Sequence, residues 1–168
     1  MLKKSRKNGN LYFVLGLLIM AILFYSSSQT YETQSQISLL ESVLKNEPFK
    51  ESLNHVSFKY ADDIVSIKEK GYFSFAEFFI RKFAHFGTYF LLGGSFFLSL
   101  MPKLKTTGFA LFFSWLSATG YAGMDEFHQM LTQDRTPLFQ DVMLDSFGAL
   151  TAILLCWLVL AMKKKRVL

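Results

Sequence analysis

A single cysteine, Cys156, in 168 residues excludes an internal disulfide framework and any Cys-x-x-Cys metal site. Charge is scarce as well. Asp, Glu, Lys and Arg make up 18% of the chain, against about 25% in an ordinary soluble domain. Hydrophobic residues reach 51%, with 19 Phe, and the mean hydropathy is +0.27. That balance excludes a disordered chain and argues against an ordinary soluble enzyme. Three prolines and ten glycines leave little room for long flexible linkers. G-x-S-x-G, H-E-x-x-H and phosphate-cradling glycine loops are absent, which removes the usual signatures of serine hydrolases, zinc proteases and P-loop enzymes. There are no internal repeats and no low-complexity tract. The length suits one domain, or one membrane bundle with a small appendage.

What the chain has instead is apolar runs. A helix needs about 20 mostly apolar residues to cross the hydrocarbon core. Leu11 to Tyr25, Phe83 to Pro102 and Thr106 to Met124 are charge-free, and Val142 to Met162 is interrupted only by Asp145. A membrane barrel would alternate polar and apolar residues, so these runs are helices. The expected fold class is all-α: a four-helix transmembrane bundle with a small extracellular loop region carrying one or two amphipathic helices. It divides into an N-terminal tail and first helix (1–25), an extracellular loop (26–74), a core of three transmembrane helices (75–162) and a basic tail (163–168).

Charge bias orients the bundle. Lys3, Lys4, Arg6 and Lys7 open the chain, Lys103 and Lys105 lie between the second and third runs, and Lys163, Lys164, Lys165 and Arg166 close it. The other 8 basic residues face all 13 acidic ones, a net charge of −5. Four crossings put both termini and the 103–105 turn on one side, the cytoplasm, in a multi-pass protein of the cell membrane. The basic tails are topology anchors in contact with anionic lipid, so the net +5 calls for no nucleic-acid partner. The first run also has the layout of a signal peptide, ending in Ser26-Ser27-Ser28. No A-x-A site follows, and a retained anchor is the favoured reading.

In the loop, Ile37, Leu40 and Leu44 recur at helical spacing, which predicts one amphipathic helix over about 31–46. Pro48 starts a new segment. Val56, Phe58 and Tyr60 alternate like a short extended piece, and Asp62 to Lys70 suit another helical turn or two ending at Gly71. A cap lying on the membrane surface is favoured over an independent recognition domain.

Ionisable side chains within or beside membrane spans are costly, which makes each a functional candidate. Lys82, His85 and Tyr89 share one helix face, with Gly93 near it. Asp125, Glu126, His128 and Gln129 end the third helix, Arg135 lies in the connection, and Asp141, Asp145 and Gly148 open the fourth. All belong to the extracellular end. His85 and Tyr89 lie about 4.5 and 10 Å inward from Lys82, and Asp145 about 6 Å inward from Asp141. Each also has a structural reading. Lys82 can snorkel, His85 can be a neutral imidazole bonded to Asp145, and Tyr89 can be an interfacial aromatic. Asp141 can be the N-cap of the fourth helix, and Arg135 can pair with Glu126 to close the turn. His85, Glu126, His128, Asp141 and Asp145 are chemically able to ligate a metal, but their spacing is not diagnostic, and neither metal nor cofactor is assigned. Cys156 is a small packing residue.

The combined pattern Lys82-x-x-His85-Phe86-x-x-Tyr89-x-x-x-Gly93, Asp125-Glu126-x-x-Gln129, Arg135 and Asp141-Val142-x-x-Asp145-x-x-Gly148 resembles the VanZ-like family of bacterial membrane proteins. The resemblance covers about residues 75–162. Residues 26–74 lie outside that shared core, although Ser27 to Tyr31 resembles the opening of Gram-positive members. The family position at Asp145 is often Asn, so this chain carries an extra carboxylate there. The resemblance implies a Gram-positive-type cytoplasmic membrane, an envelope role and a link to glycopeptide resistance, particularly to the lipid-tailed teicoplanin. It implies no mechanism.

The leading expectation is a protein that binds an anionic amphiphile at the outer leaflet: a lipid-linked wall intermediate, a lipid head group or a lipoglycopeptide. Lys82 and Arg135 would pair with phosphate or carboxylate. Tyr89, Glu126 and Gln129 would bond sugar or amide groups, His85 with Asp145 would set the protonation state, and Asp141 is counted among the ligand-binding residues. The alternatives are an enzyme on a lipid-linked wall substrate, with His85 and Glu126 as acid–base groups, and a non-catalytic partner of envelope proteins. That partner would pack through Gly93-Gly94 and Gly120 to Gly123.

Overall fold

The computed structural model describes residues 2–133 and 137–165. The chain runs α1 (Leu2–Ser27), α2 (Tyr31–Gln34), α3 (Ile37–Val43), α4 (Lys50–Leu53), β1 (Ser57–Tyr60), β2 (Asp63–Ser66), α5 (Ile67–Lys70), α6 (Tyr72–Leu100), α7 (Thr107–Gln133) and α8 (Phe139–Lys165). Three of these helices are long and apolar enough to cross a membrane: α1 from Gly9, α6, and α8 to Lys163. They mark a membrane protein. The fourth expected span forms as α7 but does not join them. Its second half carries Asp125, Glu126, His128 and Gln129, and Ser114, Ser117 and Thr119 dilute the first.

The four long helices pack side by side with alternating direction. The start of α1 meets the end of α6, where a side chain at Gly9 would strike Pro102. The end of α1 meets the end of α7, where Thr132 Oγ1 donates to the Ser27 carbonyl at 2.7 Å. The central core draws on all four: Ile19 and Leu23, Tyr89, Leu92 and Phe96, Ala118 and Ala122, and Ala149. Between α6 and α8 the backbones touch. A Cβ at Gly93 would lie 2.7 Å from the Ala149 Cα and carbonyl oxygen, and one at Gly148 would lie 2.6 Å from the Phe86 carbonyl oxygen. α7 and α8 are joined by hydroxyl contacts, with Trp115 Nε1 and Thr119 Oγ1 at 2.9 and 2.7 Å from Ser146 Oγ.

The segment between α1 and α6 corrects the all-α expectation. β1 and β2 pair antiparallel, Ser57 with Ser66 through Tyr60 with Asp63, around a turn in which Ala61 has φ +53°. Asp62 to Lys70 is therefore helical only from Ile67. The β-branched Ile64 and Val65 extend because they pair across to Lys59 and Phe58. Ser66 Oγ then caps α5 by accepting from the Glu69 N–H at 3.2 Å, and Gly71, at φ +79°, ends it. Lys70 lies 2.8 Å from Asp63 and holds that exposed carboxyl below the usual range. The single helix expected over 31–46 is broken at Ser35-Gln36, because the Gln36 N–H donates to Glu77 Oε1 at 2.6 Å. Val65, Ile67, Tyr72 and Phe75 form the core of this cap, which sits on the first turns of α6. α6 has 29 residues and measures about 43 Å, against about 30 Å of hydrocarbon. Its first turns therefore have length to spare for the cap, and the helix starts 11 residues before the charge-free run that predicted it.

Candidate ligand-binding site

A cleft of about 710 Å³ opens at the capped end, between the end of α1 and the start of α6. Glu77, Arg81, Ala84, His85 and Thr88 line it from α6. Their spacing places them on one face over about 16 Å of helix. Leu23, Ser26 and Ser27 stand opposite on α1, Gln34 and Gln36 close the top, and Gln129 and Asp141 reach in from α7 and α8. The lining is mixed, with Leu23, Phe78, Ile80 and Ala84 apolar among the polar groups.

Lys82 is ion-paired with Asp141, and Tyr60 from the hairpin donates its hydroxyl to the same carboxylate. The ammonium also lies 4.6 Å from the Tyr60 ring centre and 5.3 Å from that of Phe78. Burial, followed by the hydrogen bond and charge of Asp141, raises the Tyr60 phenol well above its ordinary pKa, so the hydroxyl stays a donor. One turn deeper, His85 Nδ1 is 3.3 Å from Asp145 Oδ2. The imidazole is one-third exposed and lines the cleft, whereas Asp145 is 4% exposed and its Oδ1 meets no partner. Gln129 Nε2 lies 3.3 Å from Asp125 Oδ2 and 3.4 Å from Ser27 Oγ, and Ser27 donates to Asp125. This clasp ties the end of α1 to α7.

The residues singled out from sequence divide accordingly. Lys82, His85, Gln129 and Asp141 line the cleft. Asp145 stands behind His85. Tyr89 is fully buried in the core, with no hydrogen-bond partner for its hydroxyl, and does not reach the cleft. Glu126 accepts from the Leu138 N–H at 2.7 Å, at the threshold of α8, and is not among the lining residues. Arg135, and with it the expected pairing to Glu126, lies outside the described residues. His128 stacks on Phe24, with ring centres 4.4 Å apart. No three His, Cys, Asp or Glu side chains among the described residues gather closely enough to hold a metal. Gly93 is consumed by packing within the chain, while Gly120 and Gly123 face open space.

Four contributors escaped the sequence reading, Ser27, Tyr60, Glu77 and Arg81, and Asp125 was singled out there without a role. Glu77 and Arg81 form an i,i+4 ion pair at 3.4 Å, with Glu77 only 2% exposed. Their spacing was a usable signal, since it falls on the face that carries His85 and Thr88. Asp125 and Gln129 share that i,i+4 relation. Ser27 and Tyr60 gave none, because each acts across more than eighty residues of sequence.

A family model described as VanZ/LLP1 matches residues 12–160. No curated protein and no solved structure matches the chain. The family match takes in α1 and the whole cap as well as the three helices that carry the polar motif. On that extent, this chain belongs to the VanZ/LLP1 family.

Proposed function

We propose that this chain crosses the cytoplasmic membrane four times, with α7 as the fourth crossing and both termini in the cytoplasm, and that its cleft binds an anionic amphiphile from the outer leaflet. The carrying observation is the mixed lining of the cleft. The cations Arg81 and Lys82 and the amides of Gln34 and Gln36 share it with the apolar Leu23, Phe78, Ile80 and Ala84. A head group and the start of a lipid tail present the same two chemistries. The basic ends of the helices lie away from the cleft in the chain order, which by the charge rule supports a cleft that opens outside.

A phosphate or carboxylate entering the cleft competes with Asp141 for Lys82. Asp141 keeps Tyr60 as a donor during that exchange, so neither charge is left unpaired. Arg135 supplies a further cation from the connection before α8, and His85 and Gln129 offer hydrogen bonds to sugar or amide groups. Tyr89 and Asp145 support the lining from behind, and Glu126 holds the turn. Lipid-linked wall intermediates, anionic lipid head groups and lipid-tailed glycopeptides all fit this chemistry, and the last accords with the family's link to teicoplanin resistance. The test is binding of fluorescent phosphatidylglycerol and phosphatidylcholine to the purified protein in detergent. The expected result is a preference for the anionic lipid that weakens in Lys82→Ala and Arg135→Ala. Equal affinity for the two lipids, or unchanged affinity in both variants, refutes the reading.

A further inference from the structure

We infer that the cleft cleaves what it binds: His85 is a general base acting on the acyl ester of an anionic glycerolipid, with Asp145 as its positioning residue. This rests on the amphiphile-binding reading and adds a reaction to it. The geometry is that of an oriented imidazole. Nδ1 is engaged by the buried Asp145 at 3.3 Å, so Nε2 is the ring nitrogen left for the cleft that His85 lines. Asp145 has no other hydrogen-bonding partner among the described residues, and its second oxygen is buried without one. A carboxylate so placed serves one imidazole. Glu126, the other acid–base candidate, is occupied at the α8 threshold.

Depth selects the bond. Arg81 and His85 are four residues apart on one helix, so the His85 backbone lies about 6 Å deeper than that of Arg81, and the guanidinium turns further toward the cap, to Glu77. In a diacyl glycerophospholipid the ester carbonyls lie just inside the phosphate, toward the tails. A phosphate held at the level of Arg81 and Lys82 therefore brings an ester, not the phosphate itself, to His85. Water is the co-reactant. His85 Nε2 takes a proton from water as the water oxygen bonds to the carbonyl carbon. The tetrahedral intermediate then collapses, the carbon–oxygen bond to glycerol breaks, and the departing oxygen takes the proton from Nε2. The products are a free fatty acid and a lysolipid. Asp145 holds Nδ1 throughout and stabilises the transient imidazolium.

The experiment uses the full-length protein in detergent micelles with phosphatidylglycerol, and follows both lipid binding and fatty-acid release. The expected result is release by the wild type and a loss of about 10²–10⁴-fold in kcat for His85→Gln with phosphatidylglycerol binding retained. Asp145→Asn should lower kcat at least about tenfold with KM unchanged, which a purely structural role would not do. Lys82→Ala should raise KM instead. Binding without release, or release that survives His85→Gln, overturns the catalytic assignment and leaves the binding reading standing. Absence of binding overturns both.

Discussion

Replacing Gly93 or Gly148 by alanine inserts a methyl group where two helix backbones touch. At Gly93 the new Cβ would lie 2.7 Å from Ala149 Cα and its carbonyl oxygen, and at Gly148 it would lie 2.6 Å from the Phe86 carbonyl oxygen and 3.3 Å from Phe86 Cα. Neither neighbour is the end of a flexible side chain, so α6 and α8 must move apart. Overpacking of this kind costs about 1–3 kcal/mol, or a melting temperature lowered by about 2–4 °C per kcal/mol for a chain of this size. Parting the helices once relieves both clashes. The double variant should therefore cost less than the sum of the singles. The same displacement widens the 3.3 Å contact of His85 with Asp145, which bridges these two helices, so ligand binding should fall in step. Gly87→Ala and Gly120→Ala are the controls. Nothing lies within 4 Å of a Cβ at either, and alanine is favoured over glycine in a helix by about 0.5–1 kcal/mol. Thermal unfolding of the four single variants and the Gly93/Gly148 double variant in one detergent decides the matter. Wild-type melting temperatures for both Gly93→Ala and Gly148→Ala, or equal losses in the controls, would refute the contact.

Other expectations follow from single contacts. Glu77→Ala removes the acceptor of the Gln36 N–H and the partner of Arg81, which should cost about 1–3 kcal/mol and speed proteolysis within residues 30–50; an unchanged cleavage rate refutes the docking role. Ser27→Ala takes a donor from the buried Asp125 and should lower stability by about 1–3 kcal/mol in thermal unfolding. Glu126→Ala should cost about 0.5–2 kcal/mol, the scale of a lost helix cap, measured in the same way. Tyr60→Phe tests a pH dependence. The phenol is held above its unfolded value, so its contribution is complete below about pH 10 and is lost as pH rises further, when only the unfolded chain ionises readily. Wild-type stability should fall on that alkaline side more steeply than that of the variant, and parallel curves would refute the burial.

The residues themselves announced four long helices, the basic ends and the polar end, because length, hydropathy and charge act locally and need no partner to be read. They also announced that Lys82 and His85 share a face, since helical spacing sets that. The phase of each helix against its neighbours was another matter. Asp125 and Glu126 are adjacent and chemically alike, yet one is clasped to Ser27 and the other to the turn before α8. Residues about 100° apart on a helix meet different surroundings, and only packing says which meets what. Gly93 and Gly120 are the same residue in similar helices, but one bears a backbone and the other open space. The hairpin at 57–66 likewise depends on pairing across a turn and on a hydrophobic bed supplied by α6. Composition and period thus decided which elements exist; contacts between distant residues decided which side chains face the cleft.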